Sequence, residues 1–499
     1  MSNSNYYISS FAWTALSKVI SAGLKFVSIP FLLAYFGKDG YGLIALALSI
    51  NAYVQLMDMG MNTGVINYFS KWIQAEQFDK LNKVFKSNLT FYTVIGLINS
   101  SVLLCFANFG QGFFNISANE FLILKKLLYV LASLSIFNWV TFVFTQMLIA
   151  NEKMVFTQQI LFVKNILSLL NVFATINFQW TLTEYLIVEA LLNSMVVLPY
   201  FIAVRKITFV FSIYPSWYWK EFKVVFYYGL SIFAMGLFQF SASQSRPLIL
   251  AKFAEANVTS ILSQYKILEV FPLFILSIGS SMISIFLPKT SKAIDSNDVN
   301  AIDNIAYNGT KYTSIIVAFL CFPIIINSAD LLEIYVGKEY RHLSIWLVIW
   351  LLTLVSYLYN SPISSLVLST GKTRMLVFSS AIACFISIIA NILLVDKYAV
   401  GSAILGYAVY IGIQMSFYYF YFNKNVLKLN SFKIFKAFFY PTVLAVVVSI
   451  MVNLFTLSFN NLILLIIFKA LIWFMFYLLV LIFFKIIDIK FLFNKFLNK

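Results

Sequence analysis

The sequence predicts an all-α polytopic membrane protein of about 14 transmembrane helices, built as two pseudo-symmetric six-helix lobes plus two C-terminal helices. Three observations carry that expectation. Of the 499 residues, 61% are hydrophobic and 11% charged, whereas soluble domains carry about 25% charged residues. The apolar residues gather in runs of roughly 20–30, enough for a helix to cover the hydrocarbon. Segments of the first half recur in the second at a near-constant offset.

The runs give fourteen spans, at 10–36, 41–69, 88–110, 121–150, 154–177, 181–204, 222–250, 258–287, 305–327, 341–370, 374–396, 401–423, 435–457 and 460–486. So little chain remains between them that function must reside inside the bilayer. Lys and Arg accumulate in cytoplasmic loops. With the N-terminus inside, the inner loops and tail hold many cations, from Lys71, Lys80, Lys83 and Lys86 to Lys424, Lys428, Lys433 and Lys436. The outer loops hold only Lys38, Lys125, Lys126, Lys252, Lys338, Arg341 and Lys397. Both termini are therefore expected in the cytoplasm. The opening MSNSNYYISS lacks a basic n-region and leads into a span too long for a signal peptide, so it is expected to remain as the first helix.

The echo has two parts. Pro30-Phe31-Leu32-Leu33-Ala34-Tyr35-Phe36 reads like Pro247-Leu248-Ile249-Leu250-Ala251-Lys252-Phe253, 217 positions later. Lys153-Met154-Val155-Phe156 likewise resembles Arg374-Met375-Leu376-Val377-Phe378, with Asn171 and Asn391 at comparable depths. An even number of helices per repeat makes the repeats parallel, with a site expected near the midplane between them. The domains expected are 1–206 (helices 1–6), a cytoplasmic linker at 207–221, 222–424 (helices 7–12), and 425–499 with helices 13 and 14 and a basic tail.

The net charge of +16 does not point to nucleic acid, because the cations sit in short loops as topology signals. Cys105, Cys321 and Cys384 all fall within spans without CxxC spacing and read as buried structural cysteines. His342 is the only histidine, so no metal or cofactor is expected.

Charged groups halfway through a span are the informative feature. Lipid penalises each by about 2.5–3.5 kcal/mol, so such a group faces a wet cavity or a counter-charge. In span 1, Thr14, Lys18, Ser21, Lys25 and Ser28 recur at helical spacing on one face, although Lys18 is near enough to the inner end to snorkel. Span 2 carries Asn51, Gln55, Asp58 and Asn62, span 4 Asn138, Thr141 and Thr145, and span 5 Thr157, Lys164, Ser168 and Asn171. The uncharged members equally suit helix-to-helix hydrogen bonding. Span 7 aligns Gln239, Ser243 and Arg246 ahead of Pro247, and Arg246 could also reach the outer headgroups. In span 8, Lys266 and Glu269 lie three apart, as a self-neutralised pair or as ligand contacts. Lys469, outside the repeat, reads as a contact to headgroups or a neighbouring helix. In spans 1 to 12, Lys18, Lys25, Lys164, Arg246 and Lys266 outnumber Asp58, Glu189 and Glu269. The resulting positive cavity favours an anion, and phosphate is well held by Lys and Arg.

The stretch PFLLAYFGKDGYGLIALALSINAYVQLMDMGMNTGVINYFSK (30–71), with Gly37, Tyr41-Gly42, Asp58, Gly60 and Tyr68, resembles the opening of bacterial Wzx-type polysaccharide flippases. These belong to the multidrug/oligosaccharidyl-lipid/polysaccharide exporter superfamily. STGKTRMLVFSSAIACFISIIANILLV (369–395) and VGSAILGYAVYIG (400–412) are similar to later helices of that family. The resemblance implies a monomer in the bacterial inner membrane that moves an undecaprenyl-pyrophosphate-linked repeat unit of an O-antigen, capsule or other polymer to the periplasmic leaflet. The mechanism implied is alternating access, with membrane lipids and the polysaccharide polymerase machinery as candidate partners. Related lipid II flippases place cations in helices 1 and 8, where Lys18, Lys25 and Lys266 fall here. Cation-coupled drug exporters use a carboxylate in the first helix, which this chain lacks. Lipid II flipping and drug antiport stand as alternatives. So does a membrane glycosyltransferase or polymerase, which would call for a large aqueous loop or clustered carboxylates. No GxxxxGK[ST] occurs, so ATP is not the direct driver, and Asp58, Glu189 and Glu269 are the candidates for ion coupling.

Overall fold

The structure is a computed structural model that describes residues 3–58, 60–207, 210, 212–255, 257–372, 374–454 and 461–486. All the regular structure among these residues is helical. The chain divides into two compact units, Met1–Val270 with Ser380–Gly406, and Phe271–Ser379 with Tyr407–Lys499.

In the first unit, α1 (Asn3–Val54) runs through one non-helical residue, Gly37, at φ 70° and ψ 175°. A glycine takes that conformation without a Cβ clash, so the first two expected spans join directly at a kink. Span 2 was expected as one helix over 41–69. It is instead broken by a 3-10 turn at Gln55–Asp58 and by left-handed Gly60, after which α2 (Met61–Gln74) begins. The backbone of residues 229–233 packs against this break and requires the glycine, since a Cβ at position 60 would lie 2.5 Å from the Gly229 carbonyl oxygen and 2.8 Å from the Phe233 nitrogen.

Helices α3 (Phe78–Phe109) and α4 (Ala118–Ala150) pack along their length. Gly96 permits this approach, because a Cβ there would stand 2.9 Å from the Ile136 Cα. Capping boxes Ser117/Glu120 and Thr181/Glu184 satisfy the first amides of α4 and of the helix that opens at Leu182. Next come α5 (Met154–Asn177), packed on α1, then α6 (Leu182–Met195) and α7 (Val197–Arg205), which form one span. The unit continues into α8 (Trp219–Phe253) and the start of α9 (Val258–Asp295). An aromatic core of Phe69, Phe85, Tyr92, Trp139, Phe144 and Phe222 joins α2, α3, α4 and α8.

The linker before α8 is docked on α3. Thr90 donates to the Ser216 carbonyl (2.9 Å), and the Tyr218 amide donates to Ser87 Oγ (2.7 Å). Lys86 lies 4.0 Å from the Tyr214 ring centroid, and its ammonium holds that phenol below its ordinary pKa range.

The second unit takes the rest of α9, then α10 (Val299–Asn304), α11 (Thr310–Ile326), α12 (Ser328–Val336), α13 (Ser344–Leu358) and α14 (Ser361–Ser369). Helices α15 (Arg374–Tyr398) and α16 (Val400–Phe417) contribute to both units. The last two helices are α17 (Ser431–Leu454) and α18 (Leu462–Phe483). Trp473 of α18 is fully buried, stacked on Phe322 and donating Nε1 to Ser449 Oγ at 2.8 Å. Lys469 faces a neighbouring helix, 3.9 Å from Asp330, which also pairs with Arg341 at 2.9 Å.

Among the described residues, twelve helices are long and apolar enough to cross a membrane. Dividing the first of them at Gly37 and adding the 35-residue α8 brings the count to the fourteen expected. Cys321 and Cys384 are buried, but Cys105 is exposed, contrary to expectation. A thiol is apolar enough to sit on a lipid-facing surface as readily as in a core. Part of the linker, the basic tail beyond 486 and the Lys18 side chain lie outside the described residues.

Candidate functional site

The site begins on α1. Its exposed residues Val27, Phe31 and Ala34 form one apolar stripe suited to lipid. At 3.6 residues per turn, Lys25 projects roughly opposite that stripe, and it too is exposed. It therefore lies on a second surface of the helix. Lys25 lies within electrostatic reach of Lys164, Lys266, Glu189 and Glu269, yet it makes no ion pair among the described residues. Next to it in the stripe, Ser21 Oγ accepts a hydrogen bond from Asn165 of α5. Ser28 instead donates back to the Leu24 carbonyl at 2.8 Å.

On α5, the exposed residues Val163, Ile166, Leu167 and Leu170 make a lipid stripe, while Lys164 and Ser168 are half-buried and Asn171 is buried. Lys164 Nζ stands 3.6 Å from Glu189 Oε1 of α6. Three neutral groups also hold that carboxylate. Ser168 Oγ donates to Oε1 at 2.9 Å, Asn193 Nδ2 to Oε1 at 3.3 Å and Asn171 Nδ2 to Oε2 at 3.4 Å.

On α9, Lys266 Nζ donates to Glu269 Oε2 at 2.7 Å, with side chains 24% and 21% exposed. The buried Tyr265 ring sits beside Glu269 and beside Arg246. Arg246 is only 7% exposed and its Nε donates to the Ala242 carbonyl at 3.1 Å, so it points into protein and not toward headgroups. Four cations, Lys25, Lys164, Lys266 and Arg246, thus share this region of the unit with two carboxylates.

Other expected residues lie elsewhere. Asp58 accepts from the Tyr92 hydroxyl and from the Asn62 amide (3.4 Å). Gln146 Nε2 donates to Tyr92 Oη at 2.8 Å, and Asn88 Nδ2 to Gln146 Oε1 at 2.7 Å. Asp58, in the 3-10 turn after α1, is thus the end of a polar chain that runs through α3 and α4. Asn51 accepts from Asn99 at 3.4 Å, and Gln55 and Gln239 are exposed. Thr141 and Thr145 donate to carbonyls of their own helix, while Asn138 accepts from Ser194 of α6 as helix-to-helix glue. Tyr265, Asn165 and Asn193 are site neighbours that sequence reasoning missed. Asn193, one turn after Glu189 on the same helix, was the most readable of them.

A sequence profile for the family described as polysaccharide biosynthesis protein matches residues 34–345. No curated protein sequence matches the chain. Among solved structures, the chain is similar to the lipid II flippase MurJ in an inward closed conformation. That likeness has a TM-score of 0.74 at 16% identity, over 95% of this chain and 98% of that one. It is also similar to a multidrug resistance MATE family transporter of the MOP superfamily in an inward-facing conformation, with a TM-score of 0.66 at 11% identity over 87% and 98% of the two chains. A MOP superfamily transporter from Pyrococcus furiosus gives a TM-score of 0.58 at 12% identity, over 87% and 95%. The fold is therefore that of the MOP superfamily, and with more than half of its length matched, the chain belongs to the polysaccharide biosynthesis protein family.

Proposed function

We propose that the protein is a flippase that carries undecaprenyl-pyrophosphate-linked oligosaccharide repeat units from the cytoplasmic to the periplasmic leaflet by alternating access between two six-helix lobes. The observation that carries this reading is Lys25, exposed on the face of α1 opposite its lipid stripe, with Lys164 and Lys266 nearby. A lone ammonium inside a membrane protein calls for an anion. Lysine binds phosphate through charge-assisted hydrogen bonds, so a pyrophosphate-linked headgroup meets that need while the polyprenyl chain stays in lipid. Lys25, Lys164 and Lys266 then form the headgroup site, with Arg246 as a buried cation behind it. Transport of a lipid-linked precursor also accounts for membership of a polysaccharide biosynthesis family by a chain with almost no extramembrane mass.

The test is complementation of a strain blocked in repeat-unit export, with chemical analysis of the lipid-linked glycan. Restored polymer and loss of the accumulated precursor support the reading. Rescue of a strain lacking lipid II flipping, without rescue of repeat-unit export, replaces it.

A further inference from the structure

The two ion pairs of the site are built differently. Lys266 and Glu269 lie 2.7 Å apart on one helix, so each side chain has its partner within a single turn of α9. Lys164 and Glu189 are on different helices and stand 3.6 Å apart, a loose pair. Glu189 does not depend on its lysine. Ser168, Asn171 and Asn193 all donate to its carboxylate, so its lone pairs stay satisfied when Lys164 leaves.

Lys164 also feels the like charge of Lys25, which has no carboxylate of its own within ion-pair range among the described residues. Two ammoniums within electrostatic reach of each other in a low-dielectric setting need an anion, and Glu189, 3.6 Å from Lys164, supplies one. An ammonium on a four-carbon stem can turn to a new acceptor without losing donor geometry, because its three protons are not fixed in a fork.

We propose that Glu189 is a built-in stand-in for the phosphoryl group, and that Lys164 exchanges between the two acceptors, the carboxylate when the site is empty and a phosphate oxygen when it is loaded. The inference rests on the function proposed above. Its consequence is that Glu189 competes with the headgroup: it weakens binding, keeps the empty lysines apart from stray anions, and helps eject the headgroup at the far leaflet. Glu189 is a positioning residue, acting through Lys164.

The experiment titrates purified full-length protein in lipid nanodiscs with inorganic pyrophosphate. Glu189→Gln removes the charge, keeps one acceptor oxygen for Ser168 and Asn193, and turns an NH2 toward Asn171 in place of the second oxygen. It is expected to bind pyrophosphate at least tenfold more tightly than wild type while exporting less repeat unit, because release slows. Glu269→Gln is expected to shift affinity less than threefold. In the double variant Glu189→Gln/Lys164→Gln the gain disappears.

A folded Glu189→Gln protein with wild-type or weaker affinity overturns the proposal, and so does a gain that persists without Lys164. Should Glu189→Gln fail to fold, Lys164→Gln alone decides, since pyrophosphate affinity unchanged in that variant also overturns it. Wild-type protein that binds no pyrophosphate defeats the underlying function and this inference together. Binding with no response to position 189 defeats the inference alone.

Discussion

Gly42 of α1 faces the backbone carbonyl of Thr259 at the start of α9, and a Cβ at position 42 would lie 1.9 Å from that oxygen. The same threonine is tied down by its side chain, with Oγ1 2.9 Å from Asp39 and 2.8 Å from Glu120. The carbonyl therefore has little room to retreat. Gly42→Ala is expected to destabilise the protein by about 1–3 kcal/mol through overpacking. A fall of several degrees in the thermal unfolding midpoint in detergent checks this.

The chain from Asn88 through Gln146 and Tyr92 to Asp58 donates every hydrogen bond toward the carboxylate. Tyr92→Phe leaves the Gln146 amide without its acceptor and an Asp58 oxygen without its donor. A loss of about 1–3 kcal/mol is expected for buried polar groups left unsatisfied. Gln146→Leu should then cost markedly less in the Tyr92→Phe background than in wild type, and a double-mutant cycle on unfolding midpoints measures that coupling.

The cluster at Asp330 predicts an asymmetry. Asp330→Ala leaves both Arg341 and Lys469 short of a partner, whereas Lys469→Met removes the weaker 3.9 Å contact and leaves Asp330 paired with Arg341. Arg341 is 48% exposed and keeps Glu333, so water limits the damage. Asp330→Ala is expected to cost about 1–3 kcal/mol, while Lys469→Met stays within about 1 kcal/mol of wild type. Thermal midpoints of the two variants, measured side by side, decide the order.

What the sequence made legible follows from what periodicity reports. Apolar runs located the spans, and helical spacing placed Ser21 and Lys25 on one face of α1, because both are properties of one helix. Contacts between helices were not legible. Lys164 and Glu189 are 25 positions apart, and no spacing rule links α5 to α6. The break at Gly60 was hidden for the same reason. A glycine in an apolar run passes as helix, and the need for it lies in the backbone of α8 at Gly229. No spacing pattern singles out Tyr92 or Gln146, and only the fold brings them to Asp58. Arg246 was readable as an intramembrane cation, but its burial beside Tyr265 was not.

The central claim is that the cations around Lys25 hold a phosphorylated lipid headgroup. It is tested most directly by reconstituting the protein in proteoliposomes and following translocation of a polyprenyl-pyrophosphate-linked glycan by loss of its accessibility to an external glycosidase. Because Lys25 is exposed and unpaired among the described residues, Lys25→Ala is expected to fold normally. It should lower translocation at least tenfold, the equivalent of about 1.4 kcal/mol, and Lys25→Arg should restore most of it. Wild-type translocation by well-folded Lys25→Ala protein would contradict the account.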